Sequence, residues 1–200
     1  MERNKYLSPA ELSCLRGTAR ARATTKLGCL EWLLIDLATQ TGLRVSELAR
    51  LRVGDVDPRC GALRVTRSKK RKITPAEWLP VSSSLMRHLM AHLGRMGTIS
   101  PGISLWRDGL RGPWGVRGMQ QAWKRVCTAA GLPPEMHIHQ ARHTLAVGLL
   151  KSAPNPGQAL RLVQKQLGHE SPETTAKMYA DVPWDDRTEA LDAMFGACEE

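Results

Sequence analysis

The segment from Leu27 to Thr41 constrains the fold most, because it carries more apolar residues than one exposed helix face can hold. They include Leu30, Trp32, Leu33, Leu34 and Leu37. A helix with this much apolar surface must be largely buried in a core. Gly42, directly after Thr41, suits the C′ position at which a helix ends in the left-handed region. The sequence therefore predicts a buried helix with a fixed end, from which the chain continues to Arg44.

Arg44 directly precedes a second short helix, predicted over residues 45–51. An arginine so close to a buried junction needs a partner, and the sequence leaves two open. Glu47, three residues further on, can form a structural ion pair with it. Alternatively, Arg44 is placed in advance as a ligand for a phosphate group.

The rest of the chain combines helical segments with one group of short strands. Ser8-Pro9-Ala10-Glu11 forms a capping box that begins a helix ending near Arg16. Further helices are predicted over residues 82–93, 118–130, 139–151 and 159–167, with a short one begun by Ser171-Pro172, and strands over 55–57, 62–66 and 78–81. The glycine-rich stretch 94–115 is predicted to be a loop. These elements indicate an α+β fold, mainly helical with a small three-stranded antiparallel sheet.

Lysine and arginine outnumber aspartate and glutamate by 29 to 19, which gives a net charge of +10 and a pI near 9.8. Such an excess is typical of proteins with a polyanionic partner such as nucleic acid. Two basic segments are candidates for phosphate contacts, although each can equally be a solvated loop. They are the stretch with Arg16, Arg20, Arg22 and Lys26, and a predicted hairpin tip at 68–74 with Lys69, Lys70, Arg71 and Lys72.

Cysteine and histidine spacing does not favour a disulfide framework or a metal site. The five cysteines are odd in number and include no C-x-x-C pair, which predicts reduced thiols. His88 and His92 have a spacing that can hold a metal, but no third ligand is near them in the sequence. With no evident signal peptide and no apolar run of about 18 residues, the predicted location is the cytoplasm, for a bacterial or phage-encoded protein, with a nucleus as the open alternative.

Tyr179 is the candidate nucleophile. Its phenol has a pKa of about 10 in water, so it attacks poorly unless cations and a proton acceptor lie close. His169 precedes its helix in the chain. His139 and Arg142 are spaced to share one helix face. Together, Arg44 and Arg142 suit the two non-bridging oxygens of a phosphodiester, because a guanidinium binds bidentately and keeps its charge.

Four short motifs follow one another along the chain. They are Thr41-Gly42-Leu43-Arg44-Val45-Ser46-Glu47-Leu48, His139-x-x-Arg142-His143-Thr144, Leu167-Gly168-His169, and Thr174-Thr175 followed by Tyr179. In this order and approximate spacing, the set resembles the tyrosine recombinases, or phage-type integrases. Each motif alone is a weak signal, whereas the ordered set is specific.

The resemblance implies a single integrase-type catalytic domain over residues 1–200, with a tail helix at 184–196 and without the N-terminal core-binding domain of the family. It implies double-stranded DNA as the partner and neither a cofactor nor a metal. It also implies a monomer in solution and a homotetramer on DNA, in which each subunit lends its tail to the next in a closed ring.

The resemblance also implies roles for the candidate residues. Arg44 and Arg142 would clamp the scissile phosphate, and Tyr179 would attack it to form a 3′-phosphotyrosyl bond. Glu47 would support the helix that follows Arg44.

Three further roles concern proton transfer and orientation. Lys69, or else Lys70 or Lys72, would protonate the leaving 5′-oxygen. His139 would serve as general acid and base, and His169 would bind the phosphate or orient the phenol.

Two departures from the family pattern are visible, and the second of them, together with the missing N-terminal domain, favours an alternative function. Ala141 stands where the family usually has leucine, which thins the packing beneath the arginine at 142. His169 and Tyr179 are ten residues apart, about one more than is common in the family. The alternative is a DNA-binding accessory protein that keeps the fold without turnover. A metal-dependent hydrolase has little support in the sequence.

Overall fold

The fold is that of a computed structural model, which describes residues 6–67, 75–97, 100–107, 112–152 and 155–168. Its helices are α1 (Pro9–Ala21), α2 (Lys26–Thr41), α3 (Val45–Leu48), α4 (Ser83–Met96), α5 (Val116–Ala129), α6 (His139–Ser152) and α7 (Pro156–Leu167). Its strands are β1 (Val56–Asp57), β2 (Ala62–Val65) and β3 (Glu77–Pro80). The predicted mainly helical α+β class is confirmed. No helix within these ranges is both long and apolar enough to cross a membrane.

Helix α2 lies at the centre of the fold and contacts α1, α4, α5 and α6. Its consecutive residues Leu33, Leu34 and Ile35 point to different sides of the helix, yet all are fully buried. Burying one such side chain contributes about 1.5–3 kcal/mol. The prediction of a buried helix is therefore confirmed, with Lys26 rather than Leu27 as its first residue.

Helix α2 ends at the predicted glycine. The φ of Gly42 is 63°, in the left-handed region, and its N–H donates to the carbonyl of Ala38. A Cβ atom at this position would overlap the Leu167 side chain of α7. Helix α7 itself ends in the same way at Gly168, with φ of 65°. Because glycine alone tolerates both the conformation and the close approach, the ends of α2 and α7 meet at a fixed place.

The three strands form an antiparallel sheet in the order β1-β2-β3. Leu63 pairs with Leu79, and Arg64 pairs with Trp78. The two leucines face the core and the other pair faces solvent, as the alternation of side chains along a strand requires. The predicted sheet is confirmed. The predicted hairpin tip at 68–74 lies outside the described residues.

Helix α1 extends beyond its predicted end near Arg16, to Ala21. Leu15 and Ala19 are one helical turn apart and both are fully buried, so the helix keeps an apolar face over its full length. Arg20 is consequently helical, and the prediction of a loop for this part of the basic stretch is wrong.

The stretch predicted as a loop over 94–115 is more firmly attached than its glycine content indicates. The N–H of Leu105 donates to the carbonyl of Leu51 at 3.0 Å. Trp106 is fully buried, and its indole N–H donates to the carbonyl of Leu48. One tryptophan therefore anchors this stretch to the end of α3, beside the candidate site.

Substituting Gly42 by alanine is expected to destabilise the fold. The left-handed conformation costs an L-residue about 1–2 kcal/mol, and the overlap with Leu167 adds to that cost. The matched control is Gly148→Ala, at an exposed position inside α6 where nothing lies within 4 Å of the new Cβ atom. That change is expected to stabilise the fold by about 0.5–1 kcal/mol. Urea unfolding measures both, and a Gly42→Ala variant as stable as the parent would contradict the argument.

Candidate active site

Arg44 lies at the N-cap of α3 and is tied to Glu47 by two hydrogen bonds. Its backbone N–H donates to Oε2 at 2.8 Å, and its Nη1 donates to Oε1 at 3.0 Å. Glu47 is only 2% exposed, whereas 37% of the Arg44 side chain remains exposed. The structure therefore contains the predicted ion pair, and the exposed part of the guanidinium still offers surface to an anion.

Arg142 lies one turn into α6 and is held by the ends of two other helices. Its Nη1 donates to the carbonyl of Gly42 at 2.8 Å, and its Nη2 donates to the carbonyl of Leu167 at 2.7 Å. Carbonyls at helix C-termini lack partners within the helix and form its negative end. The guanidinium thus occupies the place where the C-terminal ends of α2 and α7 meet.

Burial lowers the pKa of Arg142 from its ordinary value to about 10, with a further contribution from the neighbouring charge of Arg44. The carboxylate of Glu47 opposes this change. The side chain is 3% exposed, and it still keeps its positive charge at neutral pH.

His139 begins α6, one turn before Arg142. Burial lowers the pKa of its imidazole below the usual 6.5, and the positive charges of Arg142 and Arg44 lower it further. At pH 7 the ring is therefore mostly neutral, and a neutral imidazole has one nitrogen that accepts a proton.

Four predicted site residues, Arg44, Glu47, His139 and Arg142, therefore lie in one electrostatic environment. The Arg44 charge acts on the pKa of both α6 residues, and Glu47 acts on that of Arg142. The Arg142 guanidinium donates to the carbonyl of Gly42, and Gly42 precedes Arg44 by two residues. The hydrogen bond therefore brings Arg142 close to the backbone that leads to Arg44. Side chains almost one hundred residues apart in sequence are thus close enough to shift one another's pKa values.

The other predicted catalytic residues lie outside the described part of the chain. They are Lys69, His169 and Tyr179, and the same holds for Lys70, Arg71 and Lys72. Their assignments stay predictions from the motifs.

Arg67 is a residue of this region that the sequence prediction missed. It is 4% exposed and lies near Arg142, whose pKa its charge also lowers. A signal was present, because Leu63, Val65 and Arg67 alternate along β2 and its continuation. The two apolar members face the core, so the third points inward as well. A buried arginine needs charged partners, and it is seldom found without a specific role.

The basic stretch near the N-terminus is held to α2 by ion pairs. Arg16 pairs with Asp36 at 2.7 Å, and Arg22 pairs with Glu31 at 3.1 Å. Both carboxylates belong to α2 and are buried, so these two arginines hold the N-terminal region against α2. Arg20 and Lys26 are exposed. All four basic residues stay candidates for phosphate contacts, although Arg16 and Arg22 also stabilise the fold through their ion pairs.

His88 and His92 have separate partners in the structure. His88 Nδ1 lies 2.8 Å from Asp36 Oδ2, and His92 Nε2 lies 2.9 Å from the carbonyl oxygen of Leu105. Among the described residues, no three side chains of metal-ligating type are grouped closely enough to hold an ion.

Comparison with known proteins matches residues 5–184 to the family model described as "Phage integrase family". The chain belongs to the phage integrase family. Among its relatives, a tyrosine recombinase XerC of Oceanobacillus iheyensis is 34% identical over 173 residues, which cover 84% of this chain and 54% of that protein. The chain therefore spans about half the length of the curated relatives that it matches.

Solved structures of recombinases share the fold. The crystal structure of XerA recombinase superposes with a TM-score of 0.76 at 22% identity, covering 95% of this chain and 65% of that one. XerH site-specific recombinase, solved as a pre-cleavage complex with its difH substrate, has a TM-score of 0.70 at 22% identity, with 96% and 55% covered. The predicted integrase-type catalytic fold is confirmed by these likenesses.

The imidazole of His139 is expected to titrate below pH 6.5, and Arg44→Met is expected to raise its pKa because one neighbouring positive charge is removed. Since the folded pKa is depressed, the stability contributed by the neutral ring is present above pH 6.5 and is lost as the pH falls through the folded value. Nitrogen chemical shifts of the ring, followed by NMR against pH, measure the pKa of His139 in the parent protein and in Arg44→Met.

His92 is the internal control for this titration. Burial also lowers the pKa of its imidazole, with a smaller effect from Arg95. Arg44 is not among the groups that shift it, so its pKa should stay the same in Arg44→Met. A His139 pKa at or above 6.5, or one unmoved by the substitution, would show that the cluster is not coupled in this way.

Proposed function

We propose that this chain is the catalytic part of a site-specific recombinase, which cuts and rejoins double-stranded DNA through a 3′-phosphotyrosyl bond to Tyr179. The observation that carries the proposal is the convergence of Arg44, Arg142 and His139. Two fixed cations beside a neutral proton acceptor are what a phenol needs in order to attack a phosphodiester.

The two arginines would bind the scissile phosphate from different sides. The carbonyls of Gly42 and Leu167 occupy two of the five N–H donors of Arg142. Its remaining donors and the exposed part of Arg44 are suited to the non-bridging oxygens. Their charges would favour the additional negative charge of the pentavalent transition state. Losing one such donor typically slows catalysis by about 10²–10³-fold.

The cleavage step balances with residues of this chain alone. The phenol of Tyr179 gives its proton to His139, and its oxygen forms a bond to phosphorus. The bond from phosphorus to the 5′-oxygen breaks, and that oxygen takes a proton from Lys69, or else from Lys70 or Lys72. His169 orients the phenol or the phosphate. Because the new phosphodiester link to tyrosine keeps the bond energy, rejoining reverses these steps without ATP.

Double-stranded DNA as the substrate agrees with the positive charge of the chain and with its likeness to recombinases that were solved bound to DNA. The chain carries a net charge of +10, and duplex DNA attracts such a surface through release of its counterions. The proposal includes a monomer in solution and a homotetramer on DNA, with residues 184–196 of each subunit docking on the next. The DNA backbone would be contacted by the basic residues of the two candidate segments, which are Arg16, Arg20, Arg22, Lys26, Lys70, Arg71 and Lys72.

A covalent adduct tests the proposed function. A recognition sequence is first selected from randomised duplexes by binding, and a suicide substrate is then made with a nick just beyond the scissile phosphate. The short fragment leaves after cleavage, so rejoining fails and the protein is expected to stay bound to DNA in denaturing gel electrophoresis. Tyr179→Phe is the matched control, because it removes one oxygen and should bind the same DNA without forming the adduct.

The same experiment decides the alternative function. Binding that weakens with salt, and no adduct on any selected sequence, would identify a DNA-binding accessory protein without turnover. The ten-residue interval between His169 and Tyr179 is the feature that favours this alternative.

A further inference from the structure

The buried Arg67 side chain contacts three different parts of the candidate active site. Its Nε donates to Glu77 Oε1, its Nη1 lies 3.6 Å from Glu47 Oε2, and its Nη2 donates to the carbonyl of Gln166 at 2.8 Å. These partners belong to β3, to α3 and to α7. A single side chain therefore connects the sheet to α3 and to the C-terminal end of α7.

The contact with Glu77 closes the base of the β2–β3 hairpin. Val65 and Glu77 form the last backbone pair of the two strands, and Arg67 lies just beyond it. The ion pair therefore fixes the chain on both sides at the point where segment 68–74 departs and returns. Lys69, the proposed acid, follows two residues after Arg67 in the sequence.

The contact with Glu47 connects this base to the phosphate clamp. One carboxylate oxygen of Glu47 accepts from the side chain of Arg44 at 3.0 Å, while the other lies 3.6 Å from Arg67. Glu47 is fully shielded from solvent in its side chain, and 5% of the Arg67 side chain is exposed. A shared, buried carboxylate sets the distance between two cations more firmly than an exposed pair does, because removing one partner strands a buried charge.

The contact with Gln166 connects the same guanidinium to the end of α7. Gly168 approaches it so closely that a Cβ atom there would lie 2.9 Å from Arg67 Nε. The C-cap glycine of α7 therefore packs directly against Arg67. His169, proposed to orient the phenol or the phosphate, is the next residue in the sequence.

We propose that Arg67 is a positioning residue, which holds the base of the lysine-bearing hairpin at a set place relative to the Glu47–Arg44 pair so that the acid reaches the leaving 5′-oxygen. This inference rests on the function proposed above. Arg67 does not touch the phosphate in this role. Its effect on rate arises because misplacing a catalytic group by about 1 Å can slow a reaction by about 10²-fold.

A leaving group that needs no acid separates this role from a purely structural one. In a 5′-bridging phosphorothiolate substrate, sulfur replaces the 5′-oxygen and departs as a thiolate. A thiol has a pKa of about 8.5, far below the value of about 15.7 for water, which an alcohol resembles. Cleavage of this substrate therefore does not depend on the placement of the acid.

The test compares adduct formation on the oxygen and sulfur substrates for the parent protein, Lys69→Met and Arg67→Met. Methionine keeps the length of the side chain and removes its charge and donors. Arg67→Met is expected to cleave the oxygen substrate about 10²-fold more slowly, to cleave the sulfur substrate at nearly the parental rate, and to bind DNA with unchanged affinity. Lys69→Met should follow the same pattern, with Lys70→Met or Lys72→Met in its place if one of those lysines is the acid.

Arg125→Met is the matched control. Its Nε donates at 2.7 Å to the buried carboxylate of Glu31, so it removes an equally long ion-paired arginine from another part of the fold. It is expected to lower stability and to leave the rates on both substrates unchanged. If Arg67→Met fails to fold, Arg67→Lys replaces it. One ammonium group cannot reach all three partners of Arg67, so the same pattern should appear with a smaller loss.

Three results would overturn the inference. An Arg67→Met variant that folds and cleaves the oxygen substrate at the parental rate shows that the residue positions nothing. Equal losses on both substrates show that it acts on binding or on overall structure. Finally, a parent protein that forms no adduct with either substrate refutes the proposed recombinase function itself, and this inference with it.

Discussion

The hydrogen bonds from Arg142 to the ends of α2 and α7 are the interaction on which the site depends. The guanidinium meets carbonyls that have no partner within their own helices, at 2.8 Å and 2.7 Å. Both helices end in a left-handed glycine, at Gly42 and Gly168, so each presents its last carbonyls to the guanidinium. The next residues of the chain carry Arg44 on one side and His169 on the other. The buried Arg142 guanidinium thus fixes the two helix ends from which the chain continues to Arg44 and to His169.

Positive charge gathers here beyond what the buried carboxylate of Glu47 balances. Arg44 and Arg67 both lie against that carboxylate, and Arg67 is also paired with Glu77. Arg142 relies on carbonyl dipoles and is repelled by the other two arginines. Like charges at close range in a partly buried site are costly, and an anion placed among them relieves that cost. A phosphate would therefore gain more here than on an ordinary basic surface. The same reasoning explains why a net charge of +10 is a weaker guide to function than the position of three arginines.

Features that depend on local spacing could be predicted from the sequence, whereas those that depend on distant partners could not. The apolar run before Gly42, the ion pair between Arg44 and Glu47 and the short strands all leave regular patterns within a few residues. Arg67 and Gln166 are 99 residues apart, and no spacing records such a pair. Likewise, α1 was predicted too short because its basic residues looked like a loop. Their carboxylate partners on α2 are visible only in the fold.

His139 is exposed and Arg142 is buried, yet loss of hydration gives the two side chains opposite chemical characters. Removal from water lowers both pKa values, and Arg44 lowers both further. The pKa of Arg142 falls only to about 10, so the side chain stays charged at neutral pH. Histidine starts at 6.5, so a fall in its pKa makes the ring neutral and able to accept a proton. One turn of α6 therefore carries a permanent cation and a base at the same pH, and the same two causes, loss of hydration and the charge of Arg44, act on both. A phosphate bound between them would favour the protonated ring through its negative charge, so binding of the proposed substrate would itself strengthen the base that the attack requires.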